Sequence, residues 1–420
     1  MLLSARRVVV LTIVLSVCGY SHLSFGQTAD RQATETVLWN FGHDGDGASP
    51  SGRLIFDASG NIFGTTGVGG TNCLSNGGCG TVFELSPSAG GWTETVLYDF
   101  CSATFCTDGS IPLAGLVFDK QGNLYGTTYQ GGSNAVGTVF ELSPSQNGLW
   151  TETVLWSFGS TKTDGAYPRL GALNWDASGN LYGTTEHGGV NGLSGQGTVY
   201  ELSPNSNGGW SETIIHSFNG QNGASPAYGV AIDNAGNLYG TTEAGGSANL
   251  GLVYMLSPTQ TGKWKETVIY TFKGQNGSNP VSPISIDASG SFYGTFSTGG
   301  KGSCEYGACG GVFKLTPRTG GGVSESSFFF DGQDGGNSYS GVVLDNQTGT
   351  LFGTTLGGND VYAIRGTKET VLYTFCSLPN CADGLYPGSG LLSFHDGKLY
   401  GVTSNGGIYE NSGVAYSLAP

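Results

Sequence analysis

The chain has 420 residues, 75 of them glycine, with 11% charged and 11% aromatic residues, a mixture that suits many short strands joined by tight turns rather than long helices. The formal net charge is −15, and removing a leader that carries Arg6, Arg7 and no acid leaves −15 − 2 = −17 on the mature chain. Such a surface repels phosphate backbones and anionic lipid heads, which argues against nucleic acid as a partner and says nothing about fold.

The first residues have the form of an export signal. A basic start at Arg6-Arg7 precedes an apolar run from Val8 to Val17, and Ser24-Phe25-Gly26 supplies small residues before a cut ahead of Gln27. The expectation is a signal peptide over residues 1–26 and a single domain over 27–420. A lipoprotein is the weaker alternative, because Val17 in Leu15-Ser16-Val17-Cys18 stands where a lipobox wants a small residue. No later stretch is apolar for long enough to span a membrane. The mature chain is expected to be exported to the periplasm, cell surface or medium, as a monomer and without an anchoring tail before Pro420.

Downstream, Glu-Thr-Val-Leu followed by an aromatic begins at Glu35 and returns, exact or degenerate, near Glu94, Glu152, Glu212, Glu266, Glu325 and Glu369, seven copies in all. A fixed period of this length marks units that cannot bury their own apolar faces and must stack. In one unit, Ala114 to Asp119 leads through Lys120-Gln121-Gly122 to Asn123-Leu124-Tyr125-Gly126-Thr127-Thr128, a hairpin of strands A and B whose turn uses glycine for its positive φ. The D-x-x-G-N turn repeats at Asp57, Asp176 and Asp233 and, altered, at Asp287, Asp345 and Asp396. A Gly-Gly loop follows, then strand C from Gly137 to Pro144 and strand D from Glu152 to Trp156.

Four strands per unit and seven units predict an all-β, seven-bladed β-propeller. The phase at the ends sharpens this, since the mature chain opens on a D strand, Glu35 to Phe41, and closes on a C strand, Val414 to Ala419. The N-terminal strand should therefore complete the last blade and abolish the open edge.

Gly64, Gly126, Gly183, Gly240, Gly294, Gly353 and Gly401 recur inside strand B. Something must approach closely there, and the expected visitor is an aromatic of an adjacent blade, with Phe83, Phe140, Tyr200, Tyr254 and Phe313 as candidates. Trp92, Trp150, Trp210 and Trp264 precede strand D at a fixed position and read as packing residues. Apart from Cys18, the cysteines form close pairs, Cys73/Cys79, Cys101/Cys106, Cys304/Cys309 and Cys376/Cys381. Export and even pairing point to disulfides that each close one loop. A zinc site is the rival, but the spacing and the lack of nearby histidines speak against it.

The recurring G-N-L-Y-G-T-T, G-G, G-T-V-F-E-L-S-P and E-T-V-L-Y blocks, in fixed order over the whole mature chain, resemble the GloVer (Gloeobacter/Verrucomicrobia-type) tandem-repeat exported proteins of bacterial surfaces. The resemblance implies export and a repeated β architecture, and carries no reaction or catalytic residue. This chain departs from many members by ending in its last strand rather than in a sorting tail.

In a propeller the D-to-A and B-to-C loops share the face on which ligands usually bind. Before strand A runs [D/N]-G-x-x-P, at Asp46, Asp108, Asp164, Asn222, Asn276, Asp334 and Asp383, with Ser338 in place of proline in the sixth copy. These carboxylates could converge on a cation such as Ca²⁺ at the channel mouth. The favoured reading is local: each side chain bonds its own turn, because a residue needed in every blade is usually needed by the blade. Residues that break the period, His43, Glu186, His187 and Glu243, are better candidates for a ligand site, and a histidine with two acids could do acid–base or metal chemistry.

His216 and His395 look structural, and no nucleophile elbow, H-E-x-x-H pair, phosphate loop or EF-hand is present. The first functional hypothesis is a non-catalytic binder of carbohydrate or protein through the loop face, with no assured cofactor. The second is a metal-assisted extracellular lyase or lactonase, and the third a structural envelope or matrix protein.

Overall fold

One aspartate sets the first hairpin of each repeat. In the computed structural model, which describes residues 33–43, 45–72, 78–300, 309–332, 335–409 and 411–420, Asp57 Oδ1 accepts the N–H of Ser59 at 2.8 Å and of Asn61 at 2.9 Å, while Asn61 Nδ2 donates to Oδ2. The same three bonds recur at Asp119, Asp176 and Asp233. The carboxylate replaces strand partners that a two-residue turn leaves unpaired. Residues 1–26, expected from sequence to be a signal peptide and including Cys18, lie outside the described residues, as do Cys73, Cys304 and Asp334.

The hairpins extend into seven antiparallel sheets. Blade 1 comprises Gly47–Phe56, Ile62–Gly69, Thr81–Ser88 and Gly91–Asp99, and blade 2 comprises Val117–Phe118, Leu124–Thr128, Thr138–Pro144 and Trp150–Ser157. Blades 3 to 6 follow at 174–217, 231–271, 285–329 and 342–374, with Ser278–Pro280 adding a short extra strand to blade 5. Blade 7 is composite. Its A, B and C strands are Ser393–His395, Lys398–Thr403 and Val414–Ala419, and its D strand is Thr34–Asn40, paired from Thr34↔Ala419 to Asn40↔Val414. The ring is closed by its own N-terminal strand, as the phase of the repeat requires.

Seven apolar clusters lie between consecutive blades, one per interface. At the centre of each, the phenylalanine just after strand D meets the strand C aromatic of the next blade. The seven pairs, from Phe41–Phe83 and Phe100–Phe140 round to Phe375–Tyr416, have ring centroids 4.6–5.4 Å apart, the tilted geometry aromatic pairs prefer. Trp92, Trp150, Trp210 and Trp264 pack at the edges of these clusters.

The strand B glycines do face a close neighbour, but it comes from their own sheet, not from an adjacent blade. Gly64 is the cross-strand partner of Phe83, Gly126 of Phe140, and Gly183 of Tyr200. A Cβ on any of the seven would lie 2.3–2.6 Å from its ring or hydroxyl. The ring folds flat over the glycine because the adjacent blade's phenylalanine fills the other side. Sequence could not choose between these two periodic neighbours.

Two disulfides are fully described, Cys101–Cys106 and Cys376–Cys381, each closing its own short loop. Cys79 and Cys309 are also oxidised. The sulfurs of Cys79, Cys101 and Cys106 lie within 4.8 Å of one another, but in disulfide form they offer no thiolate to a metal.

Candidate binding site at the channel mouth

The mouth of the channel is built on one residue per blade, the one before the [D/N]-G-x-x-P proline. In all seven copies this residue has φ between 50° and 60°, although none is glycine: Ser49, Ile111, Tyr167, Ser225, Asn279, Asn337 and Tyr386. Its conformation turns both backbone groups to use. The N–H reaches back to the preceding blade, as in Ile111 to Cys79 O, Tyr167 to Val136 O and Ser225 to Gln196 O at 2.8–2.9 Å. In the last copy Tyr386 donates instead to Asn359 Oδ1 at 3.1 Å. The carbonyl accepts from the residue after Gly-Thr-Thr in its own blade, as Ile111 does from Tyr129 and Tyr167 from Glu186. The proline then packs on a glycine of the preceding blade. Pro112 does so on Gly80, Pro168 on Gly137 and Pro226 on Gly197, where a Cβ would sit 2.4–2.7 Å from the proline Cδ. A backbone clasp thus joins each blade to the next and leaves the intervening side chains free to differ.

Those free positions are where the ring loses its symmetry. After strand B's Gly-Thr-Thr or its variant stand Gly67, Tyr129, Glu186, Glu243, Ser297, Leu356 and Ser404, and directly after the proline or Ser338 stand Ser51, Leu113, Arg169, Ala227, Val281, Tyr339 and Gly388. Charge and aromatic surface are concentrated in blades 2 to 4, while blades 5 to 7 contribute mainly small or apolar groups. Tyr228, one residue further on in blade 4, joins the same sector.

Arg169 is the hub of this cluster. Its Nη1 donates to Glu186 Oε1 at 3.4 Å, with side chains 39% and 15% exposed. Burial works against the guanidinium charge, but Glu186, Tyr228, Glu243 and Tyr129 outweigh it and raise its pKa. Burial pushes Glu243 upward, with Arg169 opposing and Glu186 adding to the shift. Tyr129 and buried Tyr228 are also raised, by burial first and by the nearby glutamates next. Tyr129 lies 5.3 Å from Tyr167, and Tyr167 lies 5.8 Å edge-on from His187. The site is a half-buried cation flanked by two carboxyl groups and walled by tyrosines, able to bond hydroxyls and to stack on a ring face.

Beneath it lies the lumen, a cavity of about 280 Å³ lined by residues at or just before the first strand of every blade, Tyr228 and Tyr339 among them.

Of the residues singled out in sequence, Glu186, His187 and Glu243 fall in this sector, and Arg169, Tyr129, Tyr167 and Tyr228 were missed. His43 lies apart, edge-on to Tyr409 at 5.5 Å beside blade 7. The motif aspartates turn away from the channel. Asp46 accepts from Gly42 N and Trp39 Nε1 at 2.8 and 3.2 Å. Asp108 accepts from Tyr98 and Ser102 at 2.8–2.9 Å, and Asp164 from Ser160 at 2.8 Å. Asp383 accepts from Tyr373 and Ser377 at 2.8–3.0 Å. None of the four lines the lumen.

Behind several of these turns sits the glutamate of the Glu-Thr-Val-Leu motif. Burial, then the charge of the facing aspartate, raises Glu152 beside Asp108 to about 8 and Glu94 beside Asp46 to about 7. Glu212 beside Asp164 is raised the same way to about 9. These are acid pairs inside the scaffold in which burial and the neighbouring charge favour a protonated glutamate.

The model of the Gloeobacter/Verrucomicrobia repeat matches residues 25–194 and again 171–416. The chain belongs to this repeat family. As a Gloeobacter/Verrucomicrobia repeat protein it has no match in sequence among curated proteins, but it shares its fold with solved structures. Virginiamycin B lyase from Staphylococcus aureus is similar with a TM-score of 0.54 at 12% identity, over 92% of this chain and 98% of that one. The extracellular domain of the one-component system BT4673 from B. thetaiotaomicron also gives 0.54 at 13% identity, over 92% of this chain but 42% of its own. PorZ, a surface component of the type-IX secretion system of Porphyromonas gingivalis, gives 0.51 at 16% identity, over 91% and 48%. At these identities the likeness is one of fold.

Proposed function

We propose that this repeat protein is an exported binding protein that takes a carbohydrate at the channel mouth. The observation that carries the reading is the confinement of Arg169, Glu186 and Glu243, with Tyr129, Tyr167 and Tyr228, to one sector of a ring whose remaining positions, Tyr339 apart, are small or apolar. Two acids and a guanidinium supply directional bonds to hydroxyl groups, and tyrosine faces supply the stacking surface a sugar ring needs. Export is supported by the disulfides and by the fold shared with an extracellular domain.

Glycan arrays should retain the purified protein, and titration with the retained glycan should show Arg169→Ala, Glu243→Gln and Tyr129→Ala each weakening binding about tenfold. Ser404→Ala, at the equivalent position of blade 7, should leave it unchanged. Silence across a broad array, or equal affinity in all four variants, would sink the proposal.

A second reading, an extracellular lyase or lactonase, is favoured by the electrostatic contact of Glu186 and Glu243. Burial biases Glu243 toward its protonated form, so the pair could move a proton. Calcium fits this donor set poorly. It seeks six to eight oxygens, and Arg169 already neutralises Glu186. The expected outcome of metal analysis on purified protein is therefore no stoichiometric divalent ion. A lyase or lactonase activity lost in Glu243→Gln would establish the second reading in place of the first.

A further inference from the structure

The lumen below the mouth contains one charge. Among the described residues lining it, Arg53 of blade 1 is the only charged side chain, and the rest of the wall is apolar or neutral, with Ile55, Val117, Asn174, Ser285 and Ser340 around it. The first strands of blades 1 and 7 meet here, and Arg53 Nε donates to Ser393 Oγ at 3.2 Å. Ser393 in turn donates to Leu54 O. No carboxylate pairs with Arg53 among the described residues. The side chain is exposed to the lumen by area, yet protein surrounds it, and burial depresses its pKa.

A guanidinium in such a place is costly unless something neutralises it. It carries five N–H donors in a fork that fits a carboxylate edge-on, and the bond to Ser393 uses one of them. Among the described residues, no acid is placed here to complete the pair. The guanidinium's remaining donors face the lumen, where water or a bound anion can take them.

We propose that the lumen is a binding site for a small organic monocarboxylate, its anionic end held by Arg53 and its body lying along the apolar wall. The single cation matches a single negative charge. A phosphate dianion would remain half-neutralised in a space of low polarity. A volume of about 280 Å³ corresponds to roughly nine waters, which limits the guest to a few carbons. The assignment rests on the lumen and does not depend on what binds at the mouth.

Titration calorimetry and thermal melts of the full chain at constant ionic strength would compare acetate, lactate and benzoate with their neutral amides and with inorganic phosphate. The carboxylates should bind saturably and raise the melting temperature, and the amides should not. Arg53→Met should lose about tenfold or more of the affinity, Arg53→Lys should retain part of it, and Lys263→Ala, at an exposed outer turn of blade 4, should keep all of it. In carboxylate-free buffer Arg53→Met should melt at or above the wild-type temperature, because it removes an unneutralised charge while keeping the length of the side chain. An equal response in Arg53→Met, or no response to any carboxylate, would overturn the site. A much lower melting temperature of Arg53→Met without carboxylate would make Arg53 a strut to Ser393 and would overturn it too. Tighter binding of phosphate would overturn the ligand class.

Discussion

Gly126 and Phe140 are cross-strand partners in blade 2, and a Cβ on Gly126 would stand 2.6 Å from the tip of the Phe140 ring. The ring cannot retreat, because Phe100 of blade 1 packs on it with centroids 5.0 Å apart. Gly126→Ala should therefore destabilise the protein by about 1–3 kcal/mol. Pairing it with Phe140→Leu should recover part of that loss, and chemical denaturation of the two singles and the double gives the coupling. Strictly additive losses would show that the ring is not what excludes the methyl group.

Ile111 is β-branched and holds φ at 60° before a proline. That region is strained for such a side chain, and the equivalent residues in blades 5 and 6 are asparagines, Asn279 and Asn337. Ile111→Asn should be neutral or stabilising by up to about 1 kcal/mol, despite removing apolar surface. A clear fall in melting temperature would mean that Ile111 contributes more through packing than it loses through strain.

Deleting the chain up to Asn40 removes strand D of blade 7 and, with it, Leu38 from the cluster between blades 7 and 1. Phe41→Ala in the intact chain should cost about 3–5 kcal/mol. The truncation should cost more and broaden the calorimetric transition, since it reopens the ring. A truncated chain that still melts sharply near the full-length temperature would show that closure contributes little.

Glu152 and Glu212 stand at about 8 and about 9 when folded, against 4.5 for a free glutamate. The folded chain keeps protons that the unfolded chain releases. Their contribution to stability is complete below pH 4.5 and is lost as pH rises toward 8 and 9. After allowance for partial solvent screening, each loss is on the order of 1 kcal/mol. Urea unfolding from pH 5 to 9 should show stability falling with pH, and Glu212→Gln should flatten the slope. A profile that rises over this range would contradict the buried acid pairs.

The architecture was legible because turn chemistry and period say the same thing. Asp57 to Asn61 names a hairpin, its recurrence counts the blades, and the frame of Glu35 against Ala419 closes the ring. The mouth was legible in part. Glu186 and Glu243 stood out as acids at a position where other copies carry neutral residues, but Arg169, Tyr129 and Tyr228 did not, because they sit beside Pro168, Thr128 and Gly229 inside conspicuous motifs. Comparing the copies position by position exposes them: Arg169 is the one cation among seven post-proline residues, and Tyr228 stands where other copies carry Ala114, Leu170 or Ser282. Arg53 is exposed the same way, since the residue three past the proline or Ser338 is glycine or proline in the other copies. Its meaning lies in what surrounds it, the convergence of the seven blades on one lumen, which no local stretch of sequence displays.

The left-handed residue before each proline ties its blade to the preceding one through its backbone amide, while its carbonyl secures the turn within its own blade. Selection can therefore rewrite the rim one blade at a time, much as an antibody exchanges loops on an unchanging framework, and pay nothing in ring geometry for each trial. Proteins that share this scaffold would then diverge fastest at the positions of Tyr129, Arg169 and Tyr228, and their ligands would differ although their folds do not.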